Sequence, residues 1–315
     1  VNAAEADPFD STHLGPEAIR RYLRRQGLAP RRALSQNFLA DGAALESIVE
    51  LAALSPGRAV LEIGPGIGIL TGALLRAGAA VTAVEVDRRL AADLRERFGG
   101  ALEAGGTPGS GGGAAPAAGS LRLLEGDVLD LAVADLIAPP YDLVANLPYH
   151  ITSPVLHHVL GGEARPERFV LMLQREVADR IAARPGALSY LSVFVQYHAS
   201  VRVARVVPAA SFEPAPEVDS AVLVGSTRPR RLSTEEEDSL WRLVQAGFRE
   251  RRKMVRNVLP RQLPALGRER IVAGLDAVGI AAERRPQTLT VEEWLGLAEA
   301  LGMIGAGWRA VPHPT

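Results

Sequence analysis

The chain contains no cysteine. Disulfides, thiolate-held zinc and cysteine nucleophiles are thereby excluded. Lysine is nearly absent too: of 35 basic residues, Lys253 alone is lysine and the rest are arginine. With the many alanines, glycines and prolines, this bias reads as a high-GC genome, so arginine richness alone carries no function. The opening valine fits that reading, as a GTG start codon taken literally. No apolar run approaches the ~18 residues that a membrane span needs. The polar stretch VNAAEADPFDSTH lacks the apolar centre of a signal peptide. A soluble cytoplasmic protein with no membrane partner is expected. Net charge is −1, so any nucleic-acid partner must be held by a local basic surface and not by the whole molecule.

What is present is enough apolar material to build a sizeable core: 315 residues, 47% of them hydrophobic. Short apolar runs alternate with amphipathic segments. Strands are predicted at 59–63, 80–86, 121–124, 143–145 and 169–173, with helices at 70–77 and 88–97 and another starting near Ser153. This alternation argues for a parallel sheet covered on both faces. Residues 99–120 are rich in Gly and Ala and read as a flexible insertion in a surface loop. After Arg228 the pattern turns helical, with segments predicted at 235–248, 254–259, 268–278 and 291–301. The expected organisation is a tail and arginine-rich helix (1–30), a catalytic domain (31–228), a helical RNA-binding domain (229–305) and a tail (306–315).

Leu61-Glu62-Ile63-Gly64-Pro65-Gly66-Ile67-Gly68 follows a strand and precedes a helix. Glycines there let a ligand approach the backbone and the helix N-terminus. A dinucleotide site wants G-x-G-x-x-G for a pyrophosphate. The G-x-G-x-G form, with an acid two before the first glycine, suits S-adenosyl-L-methionine instead. Glu85 ends the next strand, 21 residues after Gly64, where a carboxylate can accept both ribose hydroxyls. Asp127, after the following strand, can accept from an adenine amine. Each acid alone reads equally as a helix cap; three elements in this order point to the cofactor.

Asn146-Leu147-Pro148-Tyr149 ends the fourth strand, at the sheet edge where such folds hold ligands. The N6 amine of adenine is a poor nucleophile because its lone pair is delocalised into the ring. Two acceptors, the Asn146 side-chain carbonyl and a backbone carbonyl at Leu147 or Pro148, can hold its hydrogens and free that lone pair. Pro148 stiffens the loop, and Tyr149 offers a face for an unstacked base. No metal is called for. A strand-ending turn is the plainer reading of Asn and Pro.

Leu34–Leu39 (LSQNFL), LEIGPGIGILT, Glu85, Gly126-Asp127, NLPYHITSP at 146–154, FEPAPEVDSA at 212–221 and FRERRKMVRNVL at 248–259 stand in one order. Together they resemble the ribosomal RNA adenine N6,N6-dimethyltransferases, from about Arg31 to Leu301. The likeness is greatest to the small-subunit members linked to kasugamycin sensitivity. The resemblance implies a Rossmann-like α/β, seven-stranded methyltransferase sheet whose last strand, 221–225, inserts antiparallel, plus a small all-helical C-terminal domain. It implies S-adenosyl-L-methionine as cofactor, bound by Asn37, Leu39, Gly64, Glu85, Asp127 and Asn146. It also implies two adjacent adenines as substrate, each receiving two methyls, in a hairpin loop near the 3′ end of small-subunit rRNA in an assembling particle. Tyr149 and Phe212 would sandwich the target base, and the enzyme would act as a monomer. The family often has Gly where Ser35 stands.

Two basic surfaces are candidates for RNA phosphates: residues 20–32, and Arg249, Arg251, Arg252, Lys253 and Arg256. The plainer readings are an exposed helix face for the first and a face salt-bridged to Glu235–Asp238 for the second. His157 and His158 are adjacent on a helix and form no ligand pair. Trp241 and Trp294 fit core positions. Two rivals remain: a large-subunit rRNA adenine N6-methyltransferase conferring macrolide resistance, and a non-catalytic assembly factor, whose expected sign is eroded NLPY or glycine motifs.

Overall fold

The computed structural model describes residue 9, residues 11–102 and residues 117–310. Most of the expected Gly/Ala-rich insertion, and the outer parts of both expected tails, lie outside the described residues. Two compact units divide the chain: residues up to Ala178 with Arg202–Thr227, and Asp179–Val201 with the segment from Arg228 onward.

The first unit begins with α1 (Pro16–Arg25), β1 (Phe38–Leu39) and α2 (Gly42–Ala52). There follow β2 (Ala59–Ile63), α3 (Ile69–Arg76), β3 (Ala80–Glu85), α4 (Arg88–Arg97) and β4 (Leu121–Glu125). A short α5 (Val133–Leu136) leads to β5 (Asp142–Asn146), α6 (Thr152–Gly161), β6 (Arg168–Gln174) and α7 (Arg175–Ile181). After α8 (Tyr190–His198) the chain forms β7 (Ala199–Val207), β8 (Phe212–Glu213) and β9 (Ser220–Thr227). Seven strands make one sheet in the order β4-β3-β2-β5-β6-β9-β7, and β1 pairs with β8 separately.

β2, β3, β4, β5 and β6 run parallel, while β9 lies antiparallel to β6. β3 is buried along its whole length and β2 along nearly all of it, which is why both are mostly apolar and not alternating, with Glu62, Thr82 and Glu85 as buried exceptions. Each large aliphatic side chain buried here, such as Leu61 or Leu143, contributes about 1.5–3 kcal/mol. β2 has β3 on one side and β5 on the other, so strand order reverses beside it and a crevice opens at the carboxyl ends. Side chains at the strand ends start the next helices: the Asp87 carboxylate accepts from Arg89 N at 3.1 Å and caps α4.

The second unit packs α8 with α9 (Thr234–Phe248), α10 (Val255–Gln262), α11 (Arg268–Ala277) and α12 (Val291–Ala300). Its core gathers Trp294, Leu240, Leu243, Leu259, Leu275 and Leu297. Capping boxes begin α9 (Ser233 with Glu236) and α12 (Thr290 with Glu293). Residues 179–201 group with these helices, although the sequence reading assigns them to the catalytic region and finds no element between 174 and 220. The sequence YLSVFVQYH of α8 is apolar on nearly every face and shows no period, yet Val193 and Tyr197 enter the helical core. Among the described residues no helix is long and apolar enough to cross a membrane.

Candidate active site

At the carboxyl ends of the parallel strands lies a cavity whose empty volume, mouth included, is about 1150 Å³. Its floor is the turn after β2. Gly64 and Gly66 both have left-handed backbones, with φ of 69° and 61°. A Cβ on Gly66 would lie 3.1 Å from the Phe38 ring, whereas one on Gly64 would make ordinary contact with Pro148 at 3.4 Å. Both positions take glycine for conformation, and Gly66 for close approach as well.

Glu85 ends β3 and is buried. One carboxylate oxygen accepts from Gly66 N at 3.0 Å, the other from Asp87 N at 2.8 Å. Burial raises its pKa above the ordinary carboxyl value, against the pull of those backbone donors. Glu62 is more deeply enclosed: its side chain accepts from Thr71 Oγ1 at 2.7 Å, and burial pushes its pKa up to about 8. Asp127 is exposed at the rim and accepts from Leu129 N at 2.9 Å.

Asn146, Leu147, Pro148 and Tyr149 form the adjoining wall. Asn146 ends β5, and Leu147 N donates to Met172 O at 3.0 Å, which keeps the loop against β6. Asn146 Nδ2 donates to the Asn37 carbonyl at 3.3 Å, so the acceptor Oδ1 is the end of the carboxamide left for a ligand. The Pro148 carbonyl accepts from Ile151 N at 3.2 Å. Tyr149 is half-buried, its hydroxyl 2.7 Å from Ser220 Oγ, and burial raises the phenol pKa so that it stays neutral.

All six expected cofactor residues (Asn37, Leu39, Gly64, Glu85, Asp127 and Asn146) line this one cavity, together with Leu147, Pro148 and Tyr149. No arginine or lysine is among its described lining residues, and Glu62, Glu85 and Asp127 are. Glu85 and Asp127 stand in this lining without a cationic neighbour, and a sulfonium cofactor bearing net positive charge fits there. The chain matches the family model for ribosomal RNA adenine dimethylase over residues 27–301.

The chain belongs to that family. A ribosomal RNA small subunit methyltransferase A from Moorella thermoacetica is 39% identical over 294 residues, covering 89% of this chain and 95% of the relative. Its counterpart from Synechococcus elongatus is 41% identical over 285 residues, covering 86% and 95%. Among solved structures, the 23S rRNA methyltransferase ErmE superposes with TM-score 0.61 at 28% identity, covering 84% of this chain and all of that one. A dimethyladenosine transferase from Plasmodium falciparum gives TM-score 0.68 at 23% identity, covering 84% and 98%, a likeness of fold.

One expected family feature is not arranged as the sequence suggested. Phe212 does not line the cavity. β8 pairs with β1 so that Phe212 stands opposite Leu39, and its ring is 2% exposed within the apolar core. Several lining residues are not among the site residues expected from the sequence, among them Gln36, Val86 and His150. Val86 carried a usable signal, being an apolar residue directly after a strand-end acid, and it is 50% exposed.

The basic residues fall elsewhere, in the second unit. Arg249, Arg251, Arg252 and Lys253 are exposed in the turn joining α9 to α10. No ion pair involves these four among the described residues, whereas Arg256 is half-buried and paired with Glu283. Of the acids at 235–238, Glu236 caps α9 and Glu237 lies 3.5 Å from Arg230. In the first unit Arg20 and Arg24 pair with Glu17, and Arg20 also with Glu213.

Proposed function

We propose that this chain dimethylates the N6 amines of two adjacent adenines in a hairpin loop near the 3′ end of small-subunit rRNA, during assembly of the particle in the cytoplasm. The observation that carries the reading is the Asn146 carboxamide. Its nitrogen is engaged by Asn37, and its oxygen is left at the wall of an acidic, cation-compatible cavity. Bound S-adenosyl-L-methionine supplies an electrophilic methyl group. Gly64, Gly66 and Asn37 hold its amino-acid portion, the oriented Glu85 carboxylate accepts its ribose hydroxyls, and Asp127 accepts from its adenine amine.

Asn146 Oδ1 accepts one hydrogen of the target amine, and a backbone carbonyl accepts the other. The Leu147 carbonyl is the better second acceptor, because that of Pro148 already takes Ile151 N. Two acceptors turn the amine lone pair out of conjugation and along the line of transfer. Tyr149 supports the base on its face while Ser220 fixes the ring's orientation. The first proton lost needs no dedicated base, since a methylated arylammonium is acidic enough to give it to water.

The helical segment 229–305 is the RNA-binding domain in this reading, with Arg249, Arg251, Arg252, Lys253 and Arg256 on the phosphates, and the enzyme works as a monomer. Curated relatives near 40% identity bear the small-subunit name, and this supports that substrate over the large-subunit alternative suggested by ErmE. Primer extension on both rRNAs after exposure to the purified chain tests the choice. Blocks at two adjacent adenines of the small-subunit rRNA are expected; a block confined to the large-subunit rRNA contradicts it.

A further inference from the structure

The segment 31–37 contains two side-chain fastenings that the cofactor contacts alone do not require. Gln36 Oε1 accepts from the Arg31 backbone N–H at 2.8 Å, and Gln36 Nε2 donates to Asp87 Oδ2 at 3.2 Å. Asp87 is itself a fixed point. It caps α4, receives the Arg89 guanidinium, and donates its own N–H to Glu85. Burial works to raise the Asp87 pKa, but Arg89 and Gln36 outweigh it and hold the carboxyl down to about 2, so the anchor stays ionised.

The second fastening is Ser35, whose Oγ lies 3.2 Å from His150 Nδ1, next to the reacting tetrapeptide. Ser35 has φ of 49°, a left-handed backbone that a serine adopts only at a cost. Glycine would fit the backbone better and would lose the hydroxyl. Directly after the two fastenings, Asn37 Nδ2 donates to the Ser35 carbonyl at 3.1 Å, and the Asn37 carbonyl accepts from Asn146 Nδ2. A carbonyl only accepts, so it selects one of the two orientations of the Asn146 carboxamide. The reversed orientation would set oxygen against oxygen.

We infer that residues 31–37 act as a strap that orients the Asn146 carboxamide for amine capture, with Gln36 and Ser35 as positioning residues. The inference rests on the reading of Asn146 as an amine acceptor, but the orientation can be observed without any reaction. Asn2, Asn37, Asn146 and Asn257 are the chain's only asparagines, so [¹⁵N]asparagine labelling of the cofactor-free protein gives a readable set of side-chain amide signals. The Asn146 pair is assigned by its loss in Asn146→Ala.

Gln36→Leu and Ser35→Gly are the test variants; the glycine relieves the left-handed backbone and so keeps the fold while removing the hydroxyl. Both are expected to move the Asn146 signals toward those of a solvent-exposed asparagine, in a protein whose circular dichroism shows it still folded. The single-turnover rate at saturating cofactor and RNA is expected to fall about tenfold in each. Signals that stay in place in both variants overturn the inference, as does an unchanged saturated rate. A loss confined to cofactor affinity also overturns it, because the strap is then only a wall of the cofactor site. Full activity in Asn146→Ala instead removes the acceptor reading, and the shifts in the two strap variants would persist, so the two failures are distinguishable.

Discussion

The cofactor cavity and the basic turn between α9 and α10 solve opposite problems. In the cavity the decisive groups are buried or half-buried, and their second partners are already chosen: Glu85 by Gly66 and Asp87, Asn146 by Asn37, Tyr149 by Ser220. In the turn, Arg249, Arg251, Arg252 and Lys253 stand exposed without an ion pair among the described residues. Methyl transfer needs fixed geometry, so its residue types and spacing are narrowly constrained. Phosphate attraction needs only like charges in one place, and it acts through water over roughly 8–10 Å. A chain of net charge −1 can therefore hold RNA through a few unneutralised cations.

The sharpest way to break this contrast is Asn146→Ala. It should lower the transfer rate by about 10²–10³-fold while cofactor affinity, followed by calorimetry, changes little. A variant as active as the wild type would place the chemistry elsewhere. Glu85→Ala should come next, with cofactor affinity reduced on the order of 100-fold, since it removes a buried acceptor and leaves the Gly66 and Asp87 N–H groups without it. Near-normal binding would show that Glu85 serves the turn and not the ligand.

Replacing Arg251, Arg252 and Lys253 by alanine together tests the other region. RNA affinity should fall roughly 10–100-fold, and the slope of log affinity against log salt should flatten by about 0.7–0.9 for each lost contact. Cofactor affinity should not change. An unaltered salt slope would remove this turn from the RNA interface.

The smallest effect concerns Glu62. Its folded pKa, about 8, lies above the ordinary 4.5, so the folded state binds the proton more tightly than the unfolded chain. Its contribution is complete below about 4.5 and is lost as pH rises through about 8. Glu62→Gln mimics the neutral acid, so its stability relative to wild type should improve from pH 5 to pH 9. Melts showing a pH-independent difference would mean that Glu62 is ionised throughout.

The same contrast explains what the sequence made legible. β2, α3, β3 and α4 were readable because apolar runs and capping acids mark them within a residue or two. The six expected cofactor residues sit at strand ends or on short motifs, and their spacing brings all of them to one cavity. α8 and β7 were not readable: the helix is apolar all round, and the strand loses its alternation at Ala204-Arg205. Gln36 was missed because its meaning lies in Asp87, 51 positions away. The motif around Phe212 is recognisable, but the pairing of β8 with β1, which sets Phe212 in the core, is a tertiary event that the sequence does not show.

Nucleoside mass spectrometry tests the central claim most directly. Small-subunit particles lacking the modification are incubated with the purified chain and S-adenosyl-L-methionine, and their rRNA is digested. The account predicts N6,N6-dimethyladenosine from two adjacent adenines of that rRNA. Adenines that remain unmodified there, while large-subunit rRNA acquires the methyl groups, would contradict it.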